Sequence, residues 1–150
     1  MVTKQQGQII AVVIAAIVAT AAITYIATRT LHTTGIIKSV GIEIYTDITL
    51  TEKLTSIDWG DINVGGTAYV DCYIKNTKNT NITLSFSTTN WLPSRAQLYL
   101  SCNGDIPANK IIEPKQAVKT RITLVVSEQI SDIEQFSFDI IITANEYVAH

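Results

Sequence analysis

Between Lys4 and Arg29 the chain carries no charged residue, and Ile9 to Ala27 within that interval reads IIAVVIAAIVATAAITYIA. A helix rises about 1.5 Å per residue, so about 20 such residues cross the roughly 30 Å hydrocarbon core of a bilayer. Thr20 and Thr24 fit such a helix because a hydroxyl can bond back to a backbone carbonyl one turn earlier. Tyr25 suits the interface, where an aromatic ring with a polar tip sits well. A buried soluble helix is a poor alternative for so long an uncharged run. Residues 1–31 are therefore expected to form one N-terminal hydrophobic α-helix that contacts membrane lipid.

Three fates fit this segment. It can remain as an anchor, or be cleaved as a secretory signal after the small-x-small triplet Ala19-Thr20-Ala21. Third, Lys4-Gln5-Gln6-Gly7 followed by Gln8 and a long apolar run resembles the amino terminus of archaeal type IV pilin and archaellin precursors. In that family a short polar leader ends in Gly, which would put processing between Gly7 and Gln8 here. The family usually has a basic residue just before that Gly, whereas this chain has Gln6. The small residues Ala15, Ala16, Ala19, Ala21 and Ala22 would allow close helix approach, hence self-association through the helix.

Residues 32–150 are a different material. All 13 acidic residues of the chain lie beyond Arg29, and period-two alternation with many β-branched residues replaces the apolar run. Alternating sets are Val40/Ile42/Ile44, Ala68/Val70/Cys72/Ile74, Ile82/Leu84/Phe86, Leu98/Leu100/Cys102, Val118 through Val126, and Phe136/Phe138/Ile140/Ile142. Ile48 to Ile57 reads as a weaker strand. Turn clusters separate the sets at Gly65-Gly66, Asn76 to Asn81, Asn90 to Pro93, Asn103-Gly104 and Pro114-Lys115, and two of the three prolines, Pro93 and Pro114, fall in them. About seven short strands over some 110 residues predict an all-β, immunoglobulin-like β-sandwich, with a barrel as the competitor. A domain of that length can bury a core of its own.

Ile57-Asp58-Trp59-Gly60-Asp61-Ile62, Gly65-Gly66 and Tyr73-Ile74-Lys75-Asn76 resemble a pattern in many immunoglobulin-like domains. Asn90-Trp91-Leu92-Pro93 and Phe136-Ser137-Phe138-Asp139-Ile140 extend the likeness. The series, from Ile57 to Ala144, is similar to small archaeal membrane-anchored surface proteins. The resemblance implies an external domain and says little about activity.

Cys72 and Cys102 sit at apolar-face positions, and a disulfide between them would close a loop of about 30 residues in an oxidising compartment; two buried free thiols are the alternative. Asn81-Ile82-Thr83 is the one N-x-S/T sequon, expected to be exposed and available for glycosylation at Asn81. Charge does not decide the topology, since Lys4 flanks the helix on one side and Arg29 and Lys38 on the other. The cysteines and the sequon favour amino terminus inside, domain outside.

Asp58, Asp61 and Asn63 carry oxygens but no calcium-loop spacing, so a solvated turn is the reading. His32 and His150 stand apart from any Ser or Cys nucleophile. There is no GxSxG, HExxH, P-loop or dinucleotide-binding glycine pattern. The only Met is Met1, which removes a blue-copper ligand set. Tyr45, Tyr69, Tyr73 and Tyr99 are expected to face outward. With a net charge of -2 and no basic face, nucleic-acid binding has no electrostatic support. No enzyme, metal or cofactor is expected. The expectation is a non-catalytic, membrane-anchored cell-surface protein, structural or protein-binding, with a pilin-like filament subunit as its sharp form. The alternative is a solute- or partner-binding accessory subunit of a transporter or membrane enzyme.

Overall fold

The computed structural model describes residues 30–107 and 109–148. The N-terminal segment, with Gly7, Gln8 and the apolar run, lies outside the described residues, as does His150. Among the described residues no helix is long and apolar enough to cross a membrane. They form eight strands: β1 Thr30–Val40, β2 Ile42–Tyr45, β3 Ser56–Asn63, β4 Thr67–Asn76, β5 Ile82–Leu92, β6 Leu100–Gly104, β7 Ala117–Val126 and β8 Gln135–Glu146. One 3-10 helix, Ser94–Leu98, joins β5 to β6. The strands make two four-stranded sheets, β3-β1-β8-β5 and β2-β4-β7-β6. β1 runs parallel to β8, and every other pairing is antiparallel.

β1 and β2 are one run of chain that changes sheet. The break is Gly41, at φ +74, where a Cβ would lie 2.7 Å from the Lys78 Cε. Only glycine takes that conformation without strain. The switch explains why Val40 is exposed while Ile42 and Ile44 are buried, against the single alternating strand that the sequence suggests. β1 itself, eleven residues from Thr30, has no clean alternation and is not foreshadowed; Leu31 is already in the core.

Two bulges bring both tryptophans inward. In β3 the register against β1 jumps between Gly60 and Asp58, so Trp59 is the extra residue. Gly60 takes φ +65, and its N–H donates to the Asp58 Oδ1 at 2.9 Å. The inward set therefore changes parity, from Ile57 and Trp59 to Ile62. In β5 the pairing with β8 lapses between Thr89 and Leu92, and Asn90 takes φ +54, a conformation asparagine tolerates better than most residues. Trp91 then stacks on Phe138, centroids 4.1 Å apart, with Phe136 beyond at 6.4 Å. Ile74, Ile122, Leu124, Ile140 and Ile142 complete the centre between the sheets.

Asn76, at the end of β4, is fully buried and ties two loops together. Its Nδ2 donates to the carbonyl oxygens of Thr80 (2.9 Å), Ile112 (3.1 Å) and Glu113 (3.1 Å), and its Oδ1 accepts from the Lys78 N–H at 2.9 Å. The expected strand over Ile48–Ile57 is a loop as far as Thr55, and only Ser56 and Ile57 are strand, as the start of β3. Asp47 accepts from the backbone N–H groups of Thr51 and Glu52 and from the Thr49 and Thr51 hydroxyls. That ring of donors competes with any ladder, and Ile48 is left exposed.

Candidate interaction surfaces

The two cysteines lie in one sheet with β7 between them. Cys72 pairs with Thr120 and Cys102 with Leu124. Two strand spacings are roughly 10 Å, and four residues along a strand are roughly 13 Å, so the Cα atoms stand about 16 Å apart. A disulfide needs less than about 7 Å. The expected bridge is therefore corrected: both are free, buried thiols, and burial pushes each up to about 12. Neither is a nucleophile at neutral pH.

Asn81 is exposed, just before β5. Ile82 faces Glu146 at the end of β8, whereas His32 of β1 faces Gln135 at its start. Eleven residue steps separate those points, so the sequon lies about 36 Å along β8 from where the chain enters the domain. Asp58, Asp61 and Asn63 occupy β3, and among the described residues no three His, Cys, Asp or Glu side chains gather as a metal site. Tyr69 is exposed, and Tyr73 and Tyr99 are half-buried. Tyr45 departs from expectation: it is buried because the loop after β2 folds over it, the Leu54 N–H reaching the Ile44 carbonyl at 2.8 Å. Its hydroxyl donates to the Glu43 Oε2 at 2.7 Å.

The outer face of β2-β4-β7-β6 carries a charge cluster. The Arg121 Nε and Nη2 donate to the Asp71 Oδ1 (2.6 Å) and Oδ2 (3.1 Å), Lys119 Nζ lies 3.1 Å from Oδ2, and the guanidinium covers the Tyr69 ring at 4.2 Å. The Arg121 bond, then that of Lys119, brings the Asp71 carboxyl down to about 2. A carboxylate so held does not exchange a proton near neutrality, and its cations are already engaged. A shallow depression of about 220 Å³ beside it is lined by Asp71, Asp105, Lys119, Thr120 and Arg121. The cluster is a rigid polar surface rather than an acid–base pair. Alternation places Asp71 and Arg121 outward from the sequence alone, but their meeting depends on β4 pairing with β7, which no local pattern reveals.

The outer face of the other sheet is mostly uncharged. Ile36 and Val40 on β1 are 57% and 59% exposed. Asp139, on β8 opposite Ile36, is buried, taking bonds from the Lys38 Nζ at 2.6 Å and the Asn90 Nδ2 at 2.7 Å. The Lys38 bond, then that of Asn90, holds its carboxyl below the ordinary value. Where β5 leaves β8, a groove of about 290 Å³ opens at the chain-entry end, lined by Thr33, Thr34, Leu92, Pro93, Gln135, Phe136 and Ser137. No charged residue lines it. Leu92 and Leu98, 65% and 74% exposed, project at this same end. Leu98 thus leaves the buried set expected with Leu100 and Cys102, because it belongs to the 3-10 helix and not to β6.

No protein-family profile matches the chain, and no curated protein matches it in sequence.

Proposed function

We propose that the chain is a non-catalytic, membrane-anchored cell-surface protein whose β-sandwich has a structural or protein-binding role. One observation carries this reading: the apolar run ends at Ala27 and β1 begins at Thr30. A linker that short would hold the sandwich directly against the bilayer, or against the core of a filament built from such helices. Exposed Leu92 and Leu98 at the chain-entry end support it, since that end would meet lipid headgroups or a neighbouring helix. Asn81 at the opposite end would be the part furthest from the membrane. With the cysteines unpaired, the sequon alone supports the outward topology.

The finer fold reading is immunoglobulin-like. Every connection except β6–β7 passes from one sheet to the other, and Trp91 is a core tryptophan. The sharp form of the function remains a pilin-like filament subunit. The test is the amino-terminal peptide of the protein isolated from its native membranes, identified by mass spectrometry. A start at Gln8 supports the filament form. An intact Met1 supports a permanent single-pass anchor, with the mostly uncharged Ile36/Val40 face as the place to look for a partner. A start after Ala21 sinks the anchored reading.

A further inference from the structure

Each sheet has two edge strands, and three of the four edges are blunted. β2 has four residues and is covered by the loop that follows it, through the Tyr45–Lys53 bridge and the Leu54–Ile44 bond. β6 has five residues. β3 is bulged at Gly60 and carries Asp58 and Asp61. Short length, bulges, charges and covering loops are the devices that keep an edge from pairing with another chain. β5 has eleven residues, ITLSFSTTNWL, and no charge occurs between Lys78 and Arg95.

The direction of the free main-chain groups follows from the bonds at the start of β5. Ile82 exchanges N–H and carbonyl bonds with Ile112, at 3.0 and 2.8 Å, on the side away from β8. Successive residues of a strand alternate sides, so Phe86 and Thr88 also turn their N–H and C=O away from β8. Among the described residues no main-chain bond reaches them. The outer-face side chains between them are Ser85, Ser87 and Thr89, and the two serines are exposed.

We propose that β5 pairs antiparallel with β5 of a second copy of this chain, about a two-fold axis at Ser87, joining two four-stranded sheets into one. Phe86 of one copy then faces Thr88 of the other, twice, and each such pair exchanges both of its N–H···O bonds. Ser87 faces Ser87 and Ser85 faces Thr89 in the closer, non-hydrogen-bonded positions, where hydroxyls bond across strands. A second copy is the occupant because the strand is its own complement. The register places a free donor opposite a free acceptor throughout, and no like charges meet where an identical strand would bring them together. The inference rests on the edge alone and stands whether or not residues 1–29 anchor the chain.

The test is thiol cross-linking of the full chain in detergent. Ser87→Cys brings two sulfurs together at a pair whose Cα atoms lie about 4.5 Å apart, within disulfide range. Ser56→Cys, an exposed serine on the opposite edge of the same sheet, is the control for collisions and for association through other segments. Cys72 and Cys102 are too buried to compete. Under mild oxidation the Ser87→Cys chain should form a covalent dimer at least about tenfold faster than the Ser56→Cys chain, because pairing raises the effective thiol concentration. Equal rates, or no dimer from either, overturn the proposal, and the edge would then be free or reserved for a strand of another protein.

Discussion

Replacing Asn76 with alanine removes the buried amide that holds the 77–81 turn and the 112–116 loop to the end of β4. Its Nδ2 serves three carbonyl oxygens and its Oδ1 one N–H. A neutral hydrogen bond contributes about 1 kcal/mol net, and a buried polar group left unpaired costs about 1–3 kcal/mol. The Ile112 carbonyl keeps its bond from the Ile82 N–H, and the Thr80 and Glu113 carbonyls are only partly buried and can take water. The loss should therefore be about 3 kcal/mol. For a domain of about 120 residues the unfolding entropy near Tm is about 0.25 kcal/mol per kelvin, so Tm should fall by roughly 12 °C. Thermal unfolding followed by fluorescence of Trp59 and Trp91, both buried, reads this directly. Asn76→Asp separates the acceptor from the donors. It keeps the acceptor for Lys78 but sets an oxygen against three carbonyls, so it should be at least as damaging. A Tm within about 2 °C of the parent for alanine, or full rescue by aspartate, would mean that the Asn76 amide does not hold the two loops.

Three further outcomes follow from the same geometry. A thiol reagent should leave Cys72 and Cys102 untouched in the native chain and modify both on unfolding, and the unfolded chain should migrate identically with and without reductant; a reductant-sensitive band would restore the bridge. The Asp71 carboxyl is held down to about 2, first by Arg121, and that of Asp139 is lowered, first by Lys38. Both groups add stability that is complete above the unfolded carboxylate range near about 4 and is lost as pH falls through each folded value, which for Asp71 is about 2. Asp71→Asn should therefore flatten the fall in Tm between those pH values, and an unchanged slope would count against the Arg121 pairing. On the filament reading, Ala15→Phe or Ala19→Phe should abolish assembly seen by electron microscopy, whereas polymer as abundant as in the parent would sink that reading.

Much of the sandwich is legible in the sequence where one residue in two is buried without interruption. β7 buries Val118, Thr120, Ile122, Leu124 and Val126, and β8 buries Phe136, Phe138, Ile140 and Ile142, in step with their alternation. Legibility fails where the chain changes parity or sheet. Gly41 splits one alternating run between two sheets, and the bulges at Gly60 and Asn90 shift the inward set by one residue. It fails again where a local polar network competes with a ladder, as at Asp47, or where the next loop folds back over an outward residue, as at Tyr45. Asn103-Gly104 reads as a turn and is the end of β6, because β7 supplies its partners. The surfaces are the least legible part. Which strands lie side by side decides that Cys72 and Cys102 stand apart, that Asp71 meets Arg121, and that β5 is left at an edge. None of these follows from residue spacing.

The proposed role requires the uncharged segment before β1 to fix the sandwich to a membrane or to a filament core. Alkaline extraction of membranes from cells making the full chain, beside a chain begun at Arg29, tests it most directly. The full chain should stay with the membrane or filament pellet, and the shortened chain should be released folded. A full chain recovered in the soluble fraction would contradict it.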